Sequence, residues 1–326
     1  MKRNRPAKRP VPVLIGESWI MRQKKYRGIE RKLALWGWGF NIPSLLFFAV
    51  FSFAPIIYAI YTSLYDKRVL SLKAPKFVGL KNYIDIFTNE GLGFIDSLKS
   101  SAIFSFGAFF PLVILSLLFS VLVYNNFKPS SQRKFEILWY TPAVISSVVA
   151  TTIWMLIFDP RGLGNQVVNF IMNTPGVDHK WTSNPSMLRF CTIMVYFWKY
   201  IGYYIVLFIT GLGTIPGTMY EAARIDGASR MQVFTRITMP LLKPTISLVS
   251  VLCLIHCLKT FSTQYMFYQS GAPLKPINVI SLSIYTTGIT NQRIGRACAM
   301  SIILFAAMIV LSIAQLKLIN SEDVDY

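Results

Sequence analysis

The chain reads as an all-α, polytopic membrane protein of about six transmembrane helices. Three observations lead there. Only 14% of its 326 residues are charged and 53% are hydrophobic, whereas soluble domains carry about a quarter charged residues. Uncharged or nearly uncharged apolar runs of 19–26 residues recur along the chain, and about 20 such residues suffice for a helix to cross the hydrocarbon core. Ten-residue alternating stretches of the barrel type are missing, so helices alone satisfy the backbone in lipid. The apolar content also excludes disorder.

The first 38 residues hold eleven Lys or Arg and two Glu and read as a basic cytoplasmic segment. Within it, residues 17–35 fit either a basic surface helix with Trp19, Ile20 and Leu33 turned inward or a tail held near anionic lipid. The transmembrane domain takes residues 39–317. Its first span, 40–65, has no charge in 26 residues. That exceeds a core of about 30 Å, so a tilt or a kink at Pro43 or Pro55 is expected. The second span covers 102–124 and the third 135–158, with a basic turn between them. A Gly/Asn/Pro-rich loop, 159–188, reads as surface turns. The fourth span covers 189–213, a polar interruption 214–239, and the fifth span 240–261. The loop 262–297 contains an apolar piece, 277–289, too interrupted for a span and read as interfacial or re-entrant. The sixth span covers 298–316, and a short cytoplasmic tail, 318–326, is acidic through Glu322, Asp323 and Asp325.

Six spans put both termini on one side. The segments on that side carry 18 Lys or Arg and those on the other side 11, which places the termini in the cytoplasm. The net charge of +19 is then a matter of anionic headgroups, and no nucleic-acid partner is expected. Cys191, Cys253, Cys257 and Cys298 lie in or beside apolar runs without a CxxC pair and read as free thiols.

The interruption after the fourth span carries the functional signal. Pro216-Gly217 breaks the span, and Thr218 with Glu221 reads as a capping box that starts a short helix. Ala222, Ala223 and Ile225 continue the helix, and Gly227 permits the turn that ends it. A second amphipathic turn follows, with Met231, Phe234 and Ile237 toward one side, and Pro240 opens the next span. A plain connector needs only a few residues. This one has 26, which suits coupling helices over 218–238 that dock into a groove of another protein.

At this point the sequence resembles the inner-membrane permease subunits of binding-protein-dependent ABC importers. Their EAA motif runs EAA, three residues, Gly, nine residues, Ile, any residue, Leu-Pro. Glu221, Ala222, Ala223, Gly227, Ile237 and Pro240 stand at those spacings, with Met239 in place of the Leu. The wording EAARIDGAS is similar to the carbohydrate, maltose-type branch. The resemblance takes in Phe77-Val78-Gly79-Leu80-Lys81-Asn82-Tyr83 and Pro142 through Phe158 with Gly162, Gly164 and Asn165. It implies a type I importer permease fold and a sugar or oligosaccharide as cargo. It also implies a second permease subunit, in a heterodimer, two cytoplasmic ATPase subunits, and an extracytoplasmic solute-binding protein. The expected place is the cell inner membrane. No GxxxxGK[ST] loop occurs in the chain, so ATP and Mg are expected at the ATPase partners, with no cofactor bound here and no enzyme activity in this chain.

Two cations lie away from the cytoplasmic or loop-side starts of their spans, at Lys199 and Lys259. Lys199 falls near the middle of the fourth and Lys259 near the outer end of the fifth. A cation at depth faces a cavity or a partner. Lys199 and Tyr203 are four apart on one helix face, and Trp198, Tyr200 and Tyr204 add aromatic surface of the kind that suits sugar rings. Lys199, Tyr203 and Lys259 are the candidate pathway residues, and they favour an anionic saccharide, such as a uronate oligomer of the alginate type. The bland alternatives are a carboxylate on the partner permease for Lys199 and snorkelling to headgroups for Lys259. His256 reads as packed core, and His179 has no visible partner. No His/Cys/Asp/Glu set sits at metal spacing. An ion-gradient-driven secondary transporter would need coupling groups at mid-depth and an internal repeat, and neither is apparent. A membrane-embedded enzyme would need a catalytic cluster, and none is found.

Overall fold

The structure, a computed structural model, describes residues 36–71 and 74–320, with Leu33 besides. Apart from Leu33, the expected basic helix over 17–35 lies outside the described residues, as does the acidic tail from residue 321. Five described helices are long and apolar enough to cross a membrane: Trp36–Ser63, Phe94–Asn126, Pro185–Leu212, Lys243–Gln269 and Ile294–Lys317. A bent pair, Pro129–Val144 and Ser147–Ile157, passes the same test together and makes six when taken as one broken span.

The chain forms two compact units, one ending at Tyr58 and one beginning at Ala59. The first unit holds most of the first span. Its distortion is a π-helical turn, Ala49–Phe53, placed just before Pro55, where the missing proline N–H already interrupts the ladder. Phe40, Phe47 and Phe51 are exposed along it.

In the second unit, the C-terminal end of the first span is tied down by a small elbow. Tyr65 and Phe77 pair across a two-stranded antiparallel ribbon. The Asn82 amide donates to the Ser63 and Tyr65 carbonyls at 2.8 and 3.0 Å, groups that a helix end would otherwise leave unmet. Gly79 sits at φ 58°, which accounts for a glycine in that stretch.

Small residues set the helix packing, as they must where lipid gives no hydrophobic push between helices. The buried face of Phe94–Asn126 includes Ser97, Ser101, Ser105, Ser116 and Ser120, and it packs chiefly against the fourth span, Pro185–Leu212. A Cβ on Gly202 would lie 1.8 Å from the Trp139 carbonyl oxygen, and one on Gly211 would lie 2.5 Å from Thr245. The fourth span therefore touches the third and the fifth at two glycines.

Three expectations need correction. The third span is not one helix over 135–158: it turns through 95° at Ile145 and Ser146, both extended in ψ. Pro142 inside the preceding helix has already removed a ladder hydrogen bond. The fifth span does not stop at 261. After a break at residues 259–261 it resumes as Ser262–Gln269, so Lys259 lies inside the span. The piece 277–289 is a set of short helical turns whose Ile277, Val279, Ile280 and Leu282 are buried, so it belongs to the packed bundle.

Gly202→Ala should destabilise the protein by about 1–3 kcal/mol, the usual scale for overpacking. Gly213→Ala, whose nearest neighbour would be 3.4 Å away, should not. Thermal unfolding midpoints in detergent measure both, and equal midpoints would contradict the close approach.

Candidate functional site

Two regions are built for function, one at the foot of the fourth span and one at the level of the two broken spans.

At the foot, Gly217–Ile225 is a helix with Pro216 as its N-cap. Thr218 therefore lies inside the first turn, and the expected Thr218–Glu221 capping box does not form. The box is at Ser229–Gln232 instead: the Ser229 N–H donates to the Gln232 side chain at 2.7 Å and the Gln232 N–H to Ser229 Oγ at 3.3 Å. Between the two helices, Gly227 stands at φ 70°. Its N–H donates to the Arg224 carbonyl at 3.1 Å and the Ala228 N–H to the Ala223 carbonyl at 2.9 Å. This pair of bonds is a Schellman stop, which requires a left-handed residue one place beyond the C-cap. The distance from the Glu-Ala-Ala run to the glycine is thus the length of one short capped helix.

Ala223 is buried, whereas Glu221, Ala222 and Ile225 are exposed, Ile225 at 86%. Met219 and Met231 are exposed as well. One carboxylate thus lies beside bare apolar side chains, a composition that suits contact with another protein. The second helix runs into a π-helical turn, Phe234–Thr238, that holds half-buried Ile237. Pro240 follows in a short turn, Met239–Leu241, ahead of the fifth span.

Higher up, the second half-helix of the third span, Ser147–Ile157, packs against Ser262–Gln269, the last piece of the fifth span. Where both spans break lies a cavity of about 370 Å³, within the usual range of about 300–1,000 Å³ for small-molecule sites. Tyr196, Tyr200, His256, Lys259, Ser147 and Thr263 are among its lining residues. Lys259 is exposed there, three residues along the helix from His256. Two tyrosine rings, hydroxyl groups and one ammonium offer stacking, hydrogen bonds and a positive charge to a polar solute.

Of the three candidate pathway residues, the structure brings Lys259 to this cavity. Lys199 and Tyr203 stand behind its lining, on the face of the fourth span that meets the first half of the third, Pro129–Val144. Lys199 is 4% exposed. Its ammonium donates to the Ala143 carbonyl at 3.4 Å and to the Ile145 carbonyl, and lies 5.4 Å from the Tyr200 ring centroid. The Tyr203 ring is 6.4 Å from that of Tyr140. Ser147, Tyr196 and His256 also border the cavity, and only the break in the spans, invisible to hydropathy, would have singled them out. His256 shares a 3.1 Å hydrogen bond with the Tyr204 hydroxyl. His179 does have a partner, Asn169 Oδ1 at 2.9 Å, in a loop anchored by buried Asn165. Among the described residues no three His, Cys, Asp or Glu side chains gather as a metal cage.

Comparison with known proteins gives a consistent picture. Residues 100–320 match the family described as binding-protein-dependent transport system inner membrane component. The chain is 31% identical to the arabinooligosaccharides transport system permease protein AraP of Halalkalibacterium halodurans, with 85% of each chain covered. It is 25% identical to the sn-glycerol-3-phosphate transport system permease protein UgpA of Salmonella typhimurium, covering 86% of this chain and 92% of that one. In fold it is similar to a chain of a bacterial ABC transporter involved in the import of the acidic polysaccharide alginate. The TM-score is 0.74 and the identity 23%, with 92% of this chain and 100% of that chain covered.

Proposed function

The chain belongs to the family of binding-protein-dependent transport system inner membrane components, and on that premise we propose that it forms half of the translocation pathway of an ATP-driven importer for a sugar or oligosaccharide. The observation that carries this reading is the short capped helix Gly217–Ile225 at the foot of the fourth span, which exposes Glu221, Ala222 and Ile225. In the proposal, Glu221, Ala222, Ala223, Gly227, Ile237 and Pro240 form the unit that takes force from a separate ATPase subunit. Ala222 allows close approach, Glu221 meets a basic partner residue, and buried Ala223 holds the helix to its support. ATP and Mg belong to that partner. Both termini lie in the cytoplasm, a second and different permease completes the pathway, and an extracytoplasmic solute-binding protein delivers the cargo.

Substrate passes the cavity at the two breaks. Lys259 faces it, with Tyr203 and Lys199 in the layer behind. An exposed ammonium within a span, among tyrosines and hydroxyls, favours a saccharide that carries carboxylates. The alginate importer whose chain shares this fold handles such a polymer, which is in keeping with the chemistry of the cavity.

Uptake into proteoliposomes holding the whole complex should require internal ATP and the binding protein. Uptake driven by an ion gradient alone would overturn the reading in favour of a secondary transporter. Gly227→Pro cannot adopt the native φ of 70° and loses the N–H that caps the helix. It should leave membrane insertion unchanged and lower transport per ATP about tenfold, equivalent to about 1.4 kcal/mol of coupling. Normal coupled transport in this variant would count against the docking role. Lys259→Met should weaken uptake of an oligouronate about tenfold or more, the scale of one charge-assisted hydrogen bond, and leave a neutral oligosaccharide of equal length nearly unaffected. An equal loss for both would remove the anionic assignment.

A further inference from the structure

The break in the third span leaves a specific problem. Pro129–Val144 ends in the middle of a membrane domain, and the last carbonyls of a helix have no partner within it. In hydrocarbon each unmet carbonyl is costly. The carbonyls at this helix end also carry the negative end of its dipole, which favours a cation. The groups that face the break come from the fourth span. Lys199 brings its ammonium to the Ala143 and Ile145 carbonyls, on either side of the last helical residue. Three residues on, Gly202 lets the Trp139 backbone come within a distance that no Cβ would permit. One residue further, Tyr203 sets its ring against Tyr140. Lys199, Gly202 and Tyr203 lie on one helix face, and all three act on the first half of the third span.

We propose that Lys199 is a positioning residue for transport: its ammonium latches the first half of the third span in its bent form, and so places Ser147 and the half-helix Ser147–Ile157 at the wall of the cavity. Lys199 does this without touching the solute. Its charge is spent on backbone carbonyls, and Tyr200, which lines the cavity, stands beside it. Releasing the latch lets Ile145 and Ser146 return toward helical geometry, which straightens the span and removes the wall that Ser147 supplies. The role in transport rests on the importer reading above; the effect on the bend does not.

The test uses the full transport complex in lipid nanodiscs, with spin labels at Leu138 and Leu156. Both positions are exposed on the two sides of the bend. Pulsed electron spin resonance should give one short distance in the parent and in Lys199→Arg, which keeps a charged donor. In Lys199→Met a longer distance should grow about tenfold or more in population, as expected for losing hydrogen bonds from a charged group. In the same samples, ATP hydrolysis stimulated by the binding protein should fall in Lys199→Met and recover in Lys199→Arg. An unchanged distance in Lys199→Met overturns the latch; if oligouronate uptake is lost at the same time, Lys199 acts on the solute. A lengthened distance with stimulation intact keeps the structural cap but overturns the role in transport. If Lys199→Met does not assemble, Lys199→Ala, which removes every donor, takes its place with the same outcomes.

Discussion

A bilayer core offers no water to a backbone, so every N–H and carbonyl must find a partner inside the protein. Unbroken helices meet that demand by themselves, and the second, fourth and sixth spans do so over 24 residues or more. The informative places are those where a helix is allowed to end. At the C-terminal end of the first span, Asn82 reaches back to two carbonyls. At the break of the third span, the Lys199 ammonium does the same. Below the fourth span, Gly227 turns the chain so that the helix closes on itself through a Schellman pair. Each of these ends is a built feature with a named donor, and the cavity and the exposed helix Gly217–Ile225 lie beside two of them.

The two intramembrane lysines illustrate how burial divides identical chemistry into different roles. An ammonium out of water needs several good acceptors to offset the loss of hydration. Lys199 is buried and meets carbonyls at a helix end, where the partial negative charge is concentrated. Lys259 caps the end of its own helix segment and is left exposed to the cavity. The first is committed to the fold, and the second stays available to a solute.

Much of this was legible in the sequence, and the reasons differ by element. Long apolar runs announce spans because hydropathy is a sum over many residues, and a residue or two at either end changes little. The spacing from Glu221 to Gly227 was readable because only glycine tolerates the backbone conformation that a Schellman stop needs. The break at Ile145 and Ser146 was hidden: hydropathy averaged over residues 135–158 stays high across Ser146 and Ser147, and Pro142 alone did not say whether the helix would kink or end. The partners of Lys199 could not be read either, since backbone carbonyls leave no mark in a sequence. The capping box was misplaced because Thr218–Glu221 and Ser229–Gln232 both fit the pattern. Pro216 decides between them by taking the N-cap itself.

The fourth span runs from the level of the cavity to the short helix at its foot. Lys199 stands thirteen residues from Leu212, the last of the span, a rise of about 20 Å at 1.5 Å per residue. Over that length Gly202 seats the span against the backbone of the third, and Gly211 seats it against Thr245 of the fifth. Contacts this close leave no slack for one helix to slide past another without displacing it, because packed interiors shift between discrete arrangements and do not deform smoothly. On the proposed reading, a movement of Gly217–Ile225 at the foot is delivered to both neighbouring spans together. Those are the two spans that break, and their breaks border the cavity. In the proposed importer, a stiff central helix with jointed neighbours on either side would turn a small displacement at one surface into a change of shape at the level of the cavity.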